Sequence, residues 1–227
     1  MTRVLKRQQA IALRKEGKTY TEIRSLLKLP KSTLSDWLGK FPLTEAQLKI
    51  LDSNKKNRKL GAIEKTIITK KKKRNLRLQE TYFQKKKELI PLNKKELYFA
   101  GLFLYWGEGN KRLTGGQVSL NNTDPAVIKF YLFWLRNILR IPVQKIKVYI
   151  HLYSDMNINK ERTYWSKELK LPLEQFMNPY IKKSKREEID QKGYGHGTCG
   201  LVVNNTVLKE EILMGIKAIA DHYAGKL

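Results

Sequence analysis

A single carboxylate framed by glycines, Gly107-Glu108-Gly109, ends the apolar stretch NKKELYFAGLFLYWGEGNKR that runs from residue 93 to residue 112. Asn93 followed three residues later by Glu96 is a capping-box start, and the spacing predicts a helix from Lys94 to Gly107. Gly101 and Glu108 are seven apart, as are Ala100 and Gly107, which puts each pair on nearly one helix face. Two such helices can approach closely along Ala100, Gly101 and Leu104, and their tips then hold two glutamates near one axis. Paired carboxylates are unfavourable unless a hard divalent cation neutralises them, and Mg²⁺ takes one or two carboxylates together with waters and phosphate oxygens. That spacing outlines a metal-dependent phosphodiester site in which Glu108 is the catalytic acid and a metal ligand.

Charge points to the partner. The chain has 227 residues with 46 Lys and Arg against 21 Asp and Glu, a formal net charge of +25. Phosphate neutralisation dominates nucleic-acid affinity, so double-stranded DNA is the expected partner. A membrane surface is the competitor, but no continuous apolar stretch reaches about 18 residues and the N-terminus lacks the apolar core of a signal peptide; a cytoplasmic protein is expected. The hydrophobic share of 41% is enough to fold one or two domains. One cysteine, Cys199, excludes an internal disulfide, and with only His151, His196 and His222 beside it a zinc finger or HNH-type site is disfavoured. GYGHGTCG, residues 193 to 200, lacks the Gly-Lys-Ser/Thr of a phosphate-cradling loop.

The elements that position these groups follow in chain order. KRQQAIALRKEG, residues 6 to 17, reads as a short helix with a glycine stop. Thr19 and Glu22 cap a second helix that ends at Leu29-Pro30, and KSTLSDWLG, residues 31 to 39, is a third with Leu34, Trp37 and Leu38 inward. Three short helices with small polar groups on the last match a helix-turn-helix, in which Lys31, Ser32, Thr33 and Ser35 face the major groove. The segment also resembles the helix-turn-helix of resolvases and transposases. From residue 54 to 88 there are fourteen basic residues against three acids, and helix formers dominate. We read a long solvated helix that tracks phosphates with Lys70, Lys71, Lys72, Lys73 and Arg74.

Beyond the glycine-framed acid, QVSLNN reads as a half-buried strand with Gln117, Ser119 and Asn121 outward. Asp124-Pro125 opens a helix through Leu139, and KIKVYIHLY is a strand with Lys145, Lys147, Tyr149, His151 and Tyr153 on one face. Lysines, tyrosines and a histidine on one strand face suit phosphates and base edges in a groove, with Lys111 and Arg112 as nearby cations. Residues 159 to 190 read as a helical insertion anchored by Tyr164, Trp165, Leu169 and Phe176. TCGLVVNN is a final strand, and Thr206 to Ala224 a final helix.

Gly101-Leu102-Phe103-Leu104-Tyr105-Trp106-Gly107-Glu108-Gly109 resembles the nine-residue signature of the LAGLIDADG homing endonucleases. Glu108 matches the penultimate acid, Gly109 the final glycine and Leu104 the central leucine. Phe103 stands at the internal glycine, Trp106 at the earlier aspartate, and Glu replaces Asp. The resemblance implies an αββαββα domain over residues 93–227, its first strand near Asn110 to Thr114 unusually short. It also implies a homodimer through the signature helices, a saddle of strands on DNA, and Mg²⁺ held by Glu108 with the carbonyl of Gly107 beside it. The expected whole is an α+β protein: a helix-turn-helix over 1–40, a basic helical linker over 41–92, and the LAGLIDADG-like domain with its insertion. Its activity is expected to be site-specific double-strand cleavage. The alternative is a transcriptional regulator with a degenerate scaffold, which Trp106 and the missing second acid favour; an association with recombinases or transposases is suggested only by the first helices.

Overall fold

The computed structural model describes residues 3–53, 58–185 and 195–225. The chain forms two compact units, residues 1–90 and 91–227. Together they make an α+β protein in which helices precede a single mixed sheet.

In the first unit, α1 (Arg3–Lys15), α2 (Tyr20–Leu27) and α3 (Lys31–Leu38) enclose Ala10, Ile23, Leu34, Trp37 and Leu38. Thr19 caps α2 reciprocally with Glu22, and Lys28 ends it in the left-handed region at φ 50°, so the chain turns at once towards α3. The stretch expected as a separate linker is not separate over its first half. α4 (Glu45–Ser53) buries Leu48 and Leu51 with Leu43, Ile68 of α5 (Arg58–Leu89) packs on them, and a buried ion pair ties α5 to α1. From Thr69 onward every residue of α5 is exposed. The beginning of the basic run, residues 54–57, lies outside the described residues.

The second unit begins with α6 (Lys94–Glu108). Asn93 accepts from the amides of Lys95 and Glu96 while Glu96 accepts from Asn93, a complete capping box. Then come β1 (Gln117–Asn122), α7 (Pro125–Phe133), β2 (Lys147–Tyr153), α8 (Ile158–Leu169), β3 (Tyr180–Lys182), β4 (Thr198–Asn204) and α9 (Thr206–Ala224). The sheet order is β1-β4-β2-β3; β4 is antiparallel to both neighbours and β3 runs parallel to β2. Val118, Leu120, Val148, Ile150, Leu152, Cys199, Leu201 and Val203 point from one sheet face into a core shared with the helices. Period-two alternation leaves the opposite face to the remaining strand residues.

Three sequence expectations change here. The strand anticipated near Asn110 to Thr114 is reduced to one bridge between Gly109 and Leu120, because the Asn110 carbonyl accepts from the Tyr105 hydroxyl and from Lys209 instead of extending a ladder. Lys145 is not on the strand: Pro142 starts a 3₁₀ turn over Val143–Lys145, and β2 begins two residues later. The insertion contains β3 as well as helix, while its end, from residue 186, lies outside the described residues.

Candidate nucleic-acid interface

The first surface is built around Arg14. Its guanidinium donates to both Glu64 carboxylate oxygens, at 3.2 and 2.8 Å, and to the carbonyls of Phe41 (2.8 Å) and Lys18 (3.0 Å). Arg14 and Glu64 are each only 2% exposed, and Glu64 also accepts from the Tyr20 amide. A bidentate pair with its remaining sites filled is the geometry in which burial of two charges is tolerated. The effect is to fix α1, the start of α2 and the base of α5 as one body. On it, Lys31, Ser32 and Ser35 of α3 are exposed and Thr33 is half-buried. Lys71 donates to the Gly39 carbonyl at the end of α3, so it secures that helix, while Lys70, Lys72, Lys73 and Arg74 point to solvent.

The second surface is the sheet face away from the core. The Tyr149 ring lies over Gly200, where a Cβ would come within 2.1 Å of it. Burial raises the Tyr149 pKa, and the Ser119 side chain hydrogen-bonds to its hydroxyl. Ser119 is therefore covered rather than outward-reaching, a correction to its expected role. His151 sits between the rings of Tyr149 and Tyr180, at centroid distances of 5.5 and 5.3 Å. Burial, then the Lys182 ammonium, lowers its pKa. Gln117, Asn121 and Lys147 are exposed on the same face. Sequence reasoning missed Tyr180, Lys182, Thr198 and Asn204, which the register brings beside them. The alternation Tyr180-Ile181-Lys182 after Pro179 was the available signal, but three residues are too few to stand out.

The third expected site is the end of α6. Glu108 is exposed, and Lys111 Nζ donates to the carbonyls of Trp106 (2.6 Å) and Gly107 (3.3 Å). Lys111 is thus a clasp on the helix end, and the Gly107 carbonyl proposed for a metal already faces an ammonium. No group of three or more His, Cys, Asp or Glu that could hold a metal ion occurs among the described residues. In one copy Glu108 supplies a single carboxylate, and Mg²⁺ there would take its remaining oxygens from waters and phosphate. Arg112 is exposed, its amide bonded to Asn110. Lys209, which sequence reading overlooked, is 1% exposed and donates to the Tyr105 hydroxyl (2.9 Å), the Gln117 carbonyl (3.1 Å) and the Asn110 carbonyl.

Gly101 is no part of an open seam. It is buried against Trp134, and a Cβ there would lie 2.1 Å from the indole. Ala100 and Leu104 are half-buried, Leu104 against the unit's own core. The aromatic residues that α6 does expose are Phe103 and Trp106, stacked at 6.0 Å.

Three helices around one small core, a left-handed turn and an exposed third helix make the start of the chain a helix-turn-helix, a DNA-binding module. A family model described as a homeodomain-like domain matches residues 1–41. No curated protein and no solved structure matches the chain, and the LAGLIDADG likeness of its C-terminal unit has no counterpart among matching families. No helix among the described residues is long and apolar enough to cross a membrane.

Proposed function

We propose that the protein is a double-stranded-DNA-binding regulator that reads sequence with α3 and gains affinity from the basic face of α5. Its support is the union, in one compact unit, of a homeodomain-like helix-turn-helix and a helix whose outer half carries Lys70, Lys72, Lys73, Arg74 and Arg77 in solvent. The outer sheet face of the second unit, with Lys147, Tyr149, His151 and Tyr180, offers a further contact to duplex phosphates and bases.

Binding to duplex DNA is expected to weaken steeply with salt, with a log–log slope of about −0.9 per phosphate neutralised. Replacing Lys70, Lys72 and Lys73 by alanine should weaken binding to all sequences alike and flatten that slope; Ser32→Ala should change sequence preference. Anisotropy titrations against a random duplex pool over a salt series test both. A flat salt response sinks the reading, and altered sequence choice in the lysine variant reverses the division of labour.

A second reading is a LAGLIDADG-type, Mg²⁺-dependent endonuclease acting as a homodimer. The observation in its favour is Glu108, an open carboxylate at the end of the signature-like helix on a strongly basic protein. Against it stand the Lys111 clasp and the absence of a second acid beside Glu108 in the motif. Glu108→Gln separates the two, since it keeps the shape and removes the charge. A nuclease loses cleavage and keeps DNA binding, whereas a regulator shows no Mg²⁺-dependent cleavage before or after the change and binds as tightly or tighter. End-sequencing of a plasmid library incubated with Mg²⁺ reads the outcome.

A further inference from the structure

Between α3 and α5, within the first unit, lies a cleft of about 400 Å³. Its apolar wall is made by Ile63, Ile67 and the Tyr20 ring; Ile63 is 44% exposed. Lys31 and Ser35 of α3 line one side and Lys70 of α5 the other. The Tyr20 ring is held in place by the Arg14 guanidinium, 4.7 Å from its centroid, and Arg14 is itself fixed by Glu64. No acid lines the cleft, and Glu64, next to Ile63 in the chain, is turned inward to Arg14. Among the described residues the Lys31 and Lys70 ammonium groups and the Ser35 and Tyr20 hydroxyls make no hydrogen bond or ion pair to other protein groups.

An uncovered isoleucine wall with two uncommitted ammonium groups and two uncommitted hydroxyls is complementary to one kind of molecule: an apolar body ending in an anion. The volume lies in the range of small-molecule sites, which are mostly apolar with a few polar groups that fix orientation. We infer that this cleft binds a small amphipathic carboxylate, its chain or ring against Ile63, Ile67 and Tyr20 and its carboxylate between Lys31 and Lys70. Because Lys31 and Ser35 belong to the face of α3 that meets DNA, such a ligand competes with the duplex for them. The site stands independently of the DNA reading; the competition rests on it.

The full-length protein, labelled for amide NMR, is titrated with sodium octanoate, and in parallel with octan-1-ol and with inorganic phosphate. Octanoate is expected to shift the amides of Tyr20, Ser35, Ile63 and Ile67. Octan-1-ol and phosphate are expected to bind at least about tenfold more weakly, because each lacks one half of the recognised chemistry. Replacing Lys31 and Lys70 together by glutamine should weaken octanoate at least about tenfold, and Ile63→Trp, which fills the cleft, should abolish the shifts. Octanoate shifts that are absent or map elsewhere overturn the site, as does octan-1-ol binding equally well. Phosphate matching octanoate reduces the cleft to a bare anion surface and also overturns it. The lysine variant decides the matter even if the tryptophan variant does not fold, since both lysines are exposed. In a duplex-binding assay, octanoate is expected to raise the apparent Kd. Octanoate binding that leaves duplex affinity unchanged overturns the competition and the placement of Lys31 and Lys70 on DNA, with the mapped site intact.

Discussion

Arg14→Met is expected to lower the stability of the first unit by about 3–5 kcal/mol, since it strands the Glu64 carboxylate in the interior without a counter-charge. Four hydrogen bonds from the guanidinium disappear with it, two of them to the carbonyls of Lys18 and Phe41 that lie on either side of α2 and α3. The double variant Arg14→Met with Glu64→Leu is expected to recover most of the loss, because no buried charge is then left unpaired. Urea unfolding followed by segment-resolved amide exchange measures both. A single variant within about 1 kcal/mol of the parent contradicts the assignment, since that is the range of an exposed pair.

Gly101→Leu is the second large effect, and its sign distinguishes two uses of a small residue. On an open seam the larger side chain separates two protein copies and leaves each folded. Packed as Gly101 is, with Trp134 Cδ1 and Nε1 at 2.1 Å from the first added carbon, it has to move a fully buried indole. That indole also donates to the Tyr98 carbonyl at 3.2 Å and stacks on Tyr131, so its displacement propagates through the core. The expected loss lies at the upper end of about 1–3 kcal/mol or beyond, with Gly101→Ala smaller in proportion. Thermal unfolding of the second unit provides the measurement. Unchanged stability with a change in light-scattering mass would return Gly101 to an intermolecular role.

What was legible in the sequence was local. The capping boxes at Thr19 with Glu22 and at Asn93 with Glu96 form as the spacing required, and α9 has the bounds its pattern set. The alternation of Val148, Ile150 and Leu152 placed the core face of β2, because period two is a property of the strand itself. What stayed hidden was tertiary. Nothing near Lys209 in the chain announces that its ammonium will be buried among oxygens of Tyr105, Asn110 and Gln117 about a hundred residues away, and a lysine on a helix ordinarily reads as solvated. Arg14 and Glu64 are 50 residues apart and looked like two charges among many. The glycine in α6 was visible as a place of close approach, but its partner, Trp134, could not be inferred from spacing. β3 escaped because a three-residue strand borrows its regularity from β2, to which it pairs through His151 and Tyr153.

The anchoring of α5 through Glu64 also sets a distance. The helix has 32 residues, and at about 1.5 Å each it extends about 48 Å, of which the 21 residues from Thr69 to Leu89 are exposed. Held rigidly at its base, that free part is a rod of about 31 Å rather than a tail, equal to the rise of about nine base pairs at about 3.4 Å per step. A charge on a flexible tail samples many phosphates and fixes none. A charge on a rod keeps a constant offset from α3, so under the proposed DNA-binding function the footprint would have a length and a direction set by the helix.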